Sequence, residues 1–564
     1  MARAVVLDLA LLDRTREGSD WERAVSRARW VAKRLAPDPE HGALIYHPGR
    51  LDPRNCSNSV IDSGECTDAL GRLLLHPRAA NLDTETRDRL THAVERNAET
   101  YLRTAVVDKG ITNQRLWGAM GLASAHALLP RASWRDALAQ SLDLAISEQR
   151  DDGSWGYQPS ATAEGAHPGA ADLTIYYHSR CLAFMLHIVE HLPALDGERM
   201  RAAIRNGVDF LALVTLPDGL KPLALEGKRW FWEGSYEAGS GAYDVYALLR
   251  GAELLGRDDL RDLATRAWRQ VARHQRTDGA IEACRERGIA DFVCPDFHTA
   301  DLAWTAQVMS ELPDPRGSIN RLQVVAGVRE AGESGVIRLD GSVRSVVIRT
   351  HKRPANTQFG GSVGGAGMVA VVDSDGAGLL DPGEGVCTIH RRRSLRAAIS
   401  GVRRFLRENP LRREGRQWLF VARLLIRQRR PGAAWRRIWR GFVGPLIRSV
   451  DDDTSPDWAI ESETSTGVAA LTARAGVART DGKVPAWAAG LAATRQFVAK
   501  SDGLSVRLTV SGDAREVSRI SYVLPAAARY VEVNSDGLDV RRGGATVTAR
   551  PTRASLRFGV TYVL

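Results

Sequence analysis

Five stretches in the first 315 residues of this 564-residue chain read as versions of one another. They are GECTDALGRLLL from Gly64, LWGAMGLASAHALL from Leu116, YYHSRCLAFMLHIVEHL from Tyr176, GSGAYDVYALLRGAELL from Gly239 and FHTADLAWTAQVMSEL from Phe297, spaced 52, 60, 63 and 58 residues apart. Such a period fits one helical hairpin with its loops, and a hairpin of this size buries its apolar stripe only by stacking on the next. The helices between the repeats close on a glutamine and an Asp-Gly turn, as in SEQRDDGSWGY from Ser147 and VARHQRTDGAIE from Val271. Hairpins repeated in this way around a ring predict an α/α toroid. Its inner helices converge on a central cavity, and the heads of those helices build the mouth.

Past ELPDPRGSINR, which carries the Pro and Gly of a linker, the texture changes. VRSVVIRTH, GMVAVVDS, LSVRLTVSG, RYVEVN and RFGVTYVL are short, β-branched and often alternating, with Gly, Asp or Asn turns between them. The expected fold is multidomain α+β: an incomplete N-terminal α/α toroid over residues 1–315, then an antiparallel β-sandwich over 318–387 and 451–564. An Arg-rich helical insertion, 388–450, interrupts the sandwich. Two or three domains are what a chain of this length calls for.

Charge sharpens that division. Residues 391–448 hold eighteen arginines and no lysine against Glu408 and Glu414, a net +16, whereas the whole chain is only +10. The remainder is therefore acidic by 6, and no general nucleic-acid-binding surface is expected. Within the insertion Trp418, Phe420, Leu424, Leu425, Trp435, Ile438, Trp439 and Phe442 alternate with arginines in a helical rhythm. That chemistry suits an anionic membrane surface or an acidic polysaccharide, and equally a helix packing its aromatics on the sandwich. The apolar run in MARAVVLDLALLDR is broken by Asp8 with no small-residue cleavage site after it, so neither a secretion signal nor a membrane span is read. Six cysteines without a C-x-x-C pair argue for reduced thiols and a cytoplasmic protein, peripheral on the inner membrane surface if the insertion binds there. No cofactor or metal is expected.

The third repeat, in ADLTIYYHSRCLAFMLHIVEHL, opens with chemistry and continues as architecture. Tyr176, Tyr177, His178 and Arg180 crowd its head, while Cys181, Phe184 and Ile188 lie below Tyr177 at helical spacing and aim its ring inward. A phenol titrates near ~10 in water, so a tyrosine base needs cations close by, and Arg180, Arg115 and His178 are available. Spacing does not separate Tyr177 from Tyr176. Asn113, in GITNQRLWGAM, precedes Tyr177 by 64 residues, about one period, so adjacent inner helices bring both to one rim. Its amide either donates to a carboxylate or caps a helix starting near Gln114. Trp230, Trp232, Glu233, Tyr236, Glu237 and Tyr243 occupy a comparable junction, and His298 heads the last repeat. These are candidate sugar-binding groups.

Toroid, β-domain and Tyr-His pair together resemble the heparinase II/III-like polysaccharide lyases and the related alginate lyases, over most of residues 60–564 outside the basic insertion. The resemblance implies cleavage of a uronic-acid polysaccharide by β-elimination. It further implies Asn113 as neutraliser of the sugar carboxylate, Tyr177 beside His178 as acid or base, and His351 assisting from the β-domain. The histidine that the family places close to a glycine-rich strand has no counterpart in GGSVGGAGM, residues 360–368, which also admits a non-catalytic polysaccharide-binding or assembly protein. Two other toroid chemistries compete. QRDDGSWG and VDDDTS echo terpene-cyclase repeats and acidic boxes, but Val450 stands at the box's first aspartate. A glycoside hydrolase would draw on Asp151, Asp152, Glu164 or Glu233.

Overall fold

The computed structural model describes residues 1–38, 42–46, 59–157, 172–222, 225, 237–275, 300–315, 326–352, 363–373, 378, 380, 384–392, 426, 435, 453–467, 469–479 and 482–564. The helical half runs α1 Ala2–Thr15, α2 Gly18–Ala32, α3 Ser59–Leu75, α4 Thr84–Asn97, α5 Arg103–Asp108, α6 Thr112–Leu128, α7 Ala132–Ser147, α8 Ile175–His191, α9 Glu198–Val214, α10 Glu237–Leu255, α11 Asp258–Arg273 and α12 Ala303–Ala306. Helices α1, α3, α6, α8, α10 and α12 pack each on the next, and α12 returns to α1, so the inner ring closes. The outer helices α2, α4, α7, α9 and α11 each pack on the inner helix before them. The last inner helix has no outer partner among the described residues, and the toroid is incomplete in that sense. The five repeats are the inner helices from α3 onward. The first inner helix, α1, is the apolar run that resembles a leader in length; Val5, Val6 and Leu9 enter the ring core. Its interrupting Asp8 is buried and accepts a hydrogen bond from Arg27 of α2 at 2.6 Å.

Helices α3 and α6 approach most closely because glycines face each other. A methyl group added at Gly64 would stand 2.2 Å from the Trp117 carbonyl oxygen, and one at Gly121 would stand 2.4 Å from that of Gly64. Only residues without a Cβ permit this contact.

The β half is antiparallel throughout. Strands β3 Gly327–Ala331, β4 Val336–Asp340, β5 Arg344–Arg349 and β6 Gly367–Asp373 form one sheet in chain order, following the short hairpin of β1 Leu35–Pro37 and β2 Leu44–Tyr46. The next strands are β7 Cys387–Arg391, β8 Asp453–Thr454, β9 Glu463–Gly467, β10 Ala470–Gly476, β11 Leu491–Lys500, β12 Gly503–Asp513 and β13 Val517–Val523. Then come β14 Arg529–Asp536, β15 Leu538–Gly543, β16 Thr546–Pro551 and β17 Ser555–Val563. These eleven strands build two larger sheets, β14-β17-β12-β11-β10-β9 and β15-β16-β13-β7-β8. The sheet's central strands are buried on both faces, so β4 is buried at every position, while the edge strand β3 is exposed at Arg329 and Glu330. Val336, Val347 and Val372 join the ring core, while Ile337, Leu339, Val346, Ile348 and Val371 join the β core.

Buried arginines pin this sheet to the ring. Arg349 donates to Asp172 at 2.5 Å and to the carbonyls of Ser334 and Leu225 at 2.9 and 3.2 Å. Arg338 donates to the Thr215 carbonyl at 2.7 Å, and the Ser334 amide donates to Asp152 at 2.6 Å.

Two sequence echoes of the terpene cyclases resolve as architecture. Gln149 donates to the carbonyls of Gly153 and Ala203, both at 2.9 Å, and the Trp155 indole donates to the Ala145 carbonyl at 2.9 Å, so QRDDGSWG is a packing device. In VDDDTS, Asp453 sits on β8 beside His390 at 2.6 Å, in the β-domain and not in the ring.

Candidate active site at the rim of the helical ring

All inner helices run parallel, so the heads of α3, α6 and α8 share one rim with the start of α1. Their unsatisfied N–H groups and dipoles make that rim electropositive before any side chain is considered. A web of buried side chains covers it. Arg3 of α1 pairs with Asp301 just before α12, and with Glu65 of α3 at 3.3 Å. Glu65 accepts from the Trp117 indole of α6 at 2.5 Å. Arg180 of α8 donates to the Tyr176 hydroxyl and lies 3.5 Å from Asp301, which also accepts from the Tyr243 hydroxyl at 3.1 Å. The Arg180 guanidinium stands 4.3, 4.7 and 4.9 Å from the ring centres of Tyr176, Tyr243 and Trp117. Burial pulls Arg180 down, but Tyr176, Tyr243 and Asp301 outweigh it and hold the guanidinium well above its ordinary value. Burial pushes the Tyr243 phenol up.

Tyr177 stands at the edge of this web and is half-buried. Thr174 caps α8 by accepting from the Tyr177 amide at 3.3 Å, which fixes where the helix begins. The Tyr177 ring lies 4.9 Å from both the Tyr157 and the Tyr176 rings, and the Arg180 guanidinium is 5.9 Å from its centre. On the neighbouring helix, Gln114 donates to the Tyr157 hydroxyl at 3.2 Å, so the heads of α6 and α8 meet through Tyr157. Arg115 is paired with Glu148 at 2.5 Å.

Asn113 belongs to the same first turn of α6. It is 2% exposed, yet among the described residues neither its amide nitrogen nor its oxygen has a hydrogen-bond partner. The helix begins at Thr112 with Ile111 at the cap, and no side chain caps it. The capping role is therefore not the one Asn113 has. A buried amide with nothing to bond costs about 1–3 kcal/mol, and a ligand is one way to satisfy it.

His178 points elsewhere. It is wholly buried between Trp155 and Phe210, with ring centres at 5.3 and 4.9 Å, and its Nε2 bonds the Gly207 carbonyl of α9 at 2.9 Å. Burial drives its pKa down to about 3, leaving a neutral ring that joins inner to outer helix. His351 follows β5, and its Nε2 lies 2.9 Å from the Glu333 carbonyl. Trp230, Trp232, Glu233, Tyr236, Glu164 and His298 lie outside the described residues. Asp152 is taken up by the Ser154 and Ser334 amides at 3.0 and 2.6 Å.

Arg3, Asp62, Glu65 and Asp301 were not read as site residues from sequence. Asp62, near the head of α3, is raised to about 6 by burial and by Glu65, with Arg3 opposing. The one sequence signal for this group is an arginine, Arg3, in the otherwise apolar stretch before Asp8.

No protein-family model matches the chain, and no curated protein matches it in sequence. Among solved structures the chain is similar to the Streptomyces coelicolor A3 chondroitin AC lyase. A tyrosine-to-alanine mutant of that lyase aligns over 99% of this chain and 80% of its own length, at 10% identity and a TM-score of 0.50. Its complex with chondroitin sulphate aligns over the same shares with a TM-score of 0.47. A glycosyl hydrolase family 88 protein from Bacteroides vulgatus covers 55% of this chain and 91% of its own, at 14% identity and a TM-score of 0.42. The likeness that spans the chain is one of fold: an α/α toroid followed by antiparallel β-sheets.

Proposed function

We propose that the N-terminal rim of the ring binds an acidic, uronic-acid-containing polysaccharide and cleaves it by β-elimination, in the manner of the heparinase II/III-like lyases. The observation that carries this reading is the amide of Asn113, unpartnered among the described residues and one helix away from Tyr177 at the N-terminal ends of the inner helices. The amide nitrogen donates to the sugar carboxylate, which makes the neighbouring C5 proton more acidic. A rim tyrosine removes that proton, the C5–H electron pair becomes the C4–C5 double bond, and the C4–O4 bond breaks as O4 takes a proton. Tyr177 is the proposed acid/base group, and Tyr176, held by Arg180, the proposed positioning group. Arg115 and Tyr243 support the rim through Glu148 and Asp301, and His178 serves packing. The chondroitin AC lyase that aligns with this chain at a TM-score of 0.50 lends the acidic-polymer reading a fold precedent.

The contact between His351 and the Glu333 carbonyl favours a second reading, a binder that does not cleave. Incubation with a panel of acidic polysaccharides separates the two. Elimination leaves a conjugated uronide that absorbs in the ultraviolet, hydrolysis releases reducing ends without it, and a binder gives neither while being retained on the immobilised polymer. Tyr177→Phe removes the absorbance with the fold intact; unchanged turnover in that variant defeats the assignment.

We also propose that residues 391–448 contact an anionic surface. Among the described residues no helix is long and apolar enough to cross a membrane. The described apolar side chains of the insertion, Ile426 and Trp435, are exposed. Liposomes with anionic lipid are expected to pellet the protein but not a variant lacking 391–448; equal pelleting rejects this.

A further inference from the structure

Helix α8 ends in His187-Ile188-Val189-Glu190-His191. Residues three and four apart share a helix face, so the two imidazoles and the carboxylate gather on its last turn. One donor atom from each of His187, Glu190 and His191 lies within 4.8 Å of the others, and the two imidazole centres are 4.0 Å apart. The three stand at the opposite end of the ring from Asn113 and Tyr177. There Glu190 and His191 line a cleft of about 360 Å³ with Asp13, His76, Tyr246 and Arg250.

The hydrogen bonds around the imidazoles suit metal ligation. His187 Nε2–H donates to the buried Asp68 carboxylate at 3.0 Å, leaving Nδ1 as the lone-pair nitrogen. His191 Nδ1–H donates to the His187 carbonyl at 3.1 Å, leaving Nε2 free of that bond. A carboxylate or carbonyl behind each histidine is the usual support of a metal-bound imidazole. The negative end of the α8 dipole also favours a cation there. Arg72 is the competitor: its Nη2 lies 3.0 Å from His187 Nδ1 and 3.1 Å from Nε2, beside the position an ion would take. Its other bonds, to Asp68 at 2.8 Å and to Gln307, hold it when it yields that position.

We propose that this end of the ring holds one divalent transition-metal ion of the zinc class. His187 Nδ1, His191 Nε2 and a Glu190 oxygen bind it, and the remaining position opens on the cleft. Donor atoms in such a tetrahedral site are ~3.3 Å apart, so binding draws the side chains together. Cobalt(II) titrated into the chelator-treated full-length protein tests the site through the visible absorption of tetrahedral cobalt. The expected result is one equivalent bound and displaced by zinc, with affinity at least tenfold weaker in His191→Ala and in Glu190→Gln. Glu190 is half-exposed, so Glu190→Gln keeps the test valid where His191→Ala disturbs the helix end. No tetrahedral band in the native protein, or the same affinity in both variants, overturns the proposal.

Discussion

The two ends of the helical ring are built from the same helices and are opposite in chemistry. At the N-terminal rim, backbone N–H groups and positive dipole ends meet buried arginines and one unpartnered amide. At the C-terminal rim, carbonyls and negative dipole ends meet two neutral imidazoles and a carboxylate. A ring of parallel helices thus polarises the molecule along its axis, with an anion favoured at one end and a cation at the other. Side-chain pairing differs as well. The N-terminal web is sealed, with Arg3, Arg180 and Asp301 all buried, whereas Arg250 and Glu190 of the far rim reach solvent.

That difference sets the largest expected effect. Asp301→Asn leaves two buried guanidiniums without their shared carboxylate and is expected to cost about 3–5 kcal/mol in chemical denaturation. Asp68→Asn at the far rim leaves Arg72, which keeps Gln307 and some access to water, and is expected to cost about 2 kcal/mol. Equal losses would break the contrast between a sealed and an open rim. Gly121→Ala comes next, because its methyl meets the Gly64 backbone and must part α3 from α6; a loss of about 2–3 kcal/mol and a weaker rim are expected.

Acid titration sharpens the comparison. An unfolded histidine takes its proton near ~6.5, whereas His178 in the fold takes one only at about 3. Between those values the unfolded chain holds more protons, so stability falls as pH drops through that window. His187 adds to the same direction. Asp62 opposes it: folded, it protonates at about 6, above its ordinary value, so its contribution is fully present below that ordinary value and is lost as pH rises through about 6. His178, His187 and His191, all lowered, together outweigh Asp62 and predict a melting temperature that falls on acidification below pH ~6.5. His178→Gln flattens that slope by about one proton and Asp62→Asn steepens it; a slope unmoved by either would remove the pKa argument.

The ring was legible because hairpin repeats leave a period, and the sheets because alternation of β-branched residues does. Asn113 and Tyr177 were legible as heads of neighbouring helices. The partners of those heads were not, because Arg3, Glu65 and Asp301 come from chain positions about as far apart as the ring allows, and only closure of α12 onto α1 joins them. His178 shows the converse limit. Adjacent in sequence to Tyr177, it is rotated about 100° around α8 and faces α9. The His187-Glu190-His191 spacing was present in the sequence but read as an apolar stripe, since its meaning depends on which end of the helix meets a cleft.

The smallest effect is the most discriminating. Asn113→Leu keeps the side-chain volume close and removes an amide that bonds nothing, so stability is expected to rise by about 1 kcal/mol. The same substitution is expected to abolish retention on an acidic polysaccharide, because the group that meets the carboxylate is gone. No substitution at the far rim combines these signs, since His187 and Glu190 are already hydrogen-bonded within the protein. Denaturation and polymer retention measured on one preparation decide the matter. A variant that loses stability means the protein itself uses the amide, and the N-terminal rim then lacks the unmet hydrogen bond on which its ligand depends.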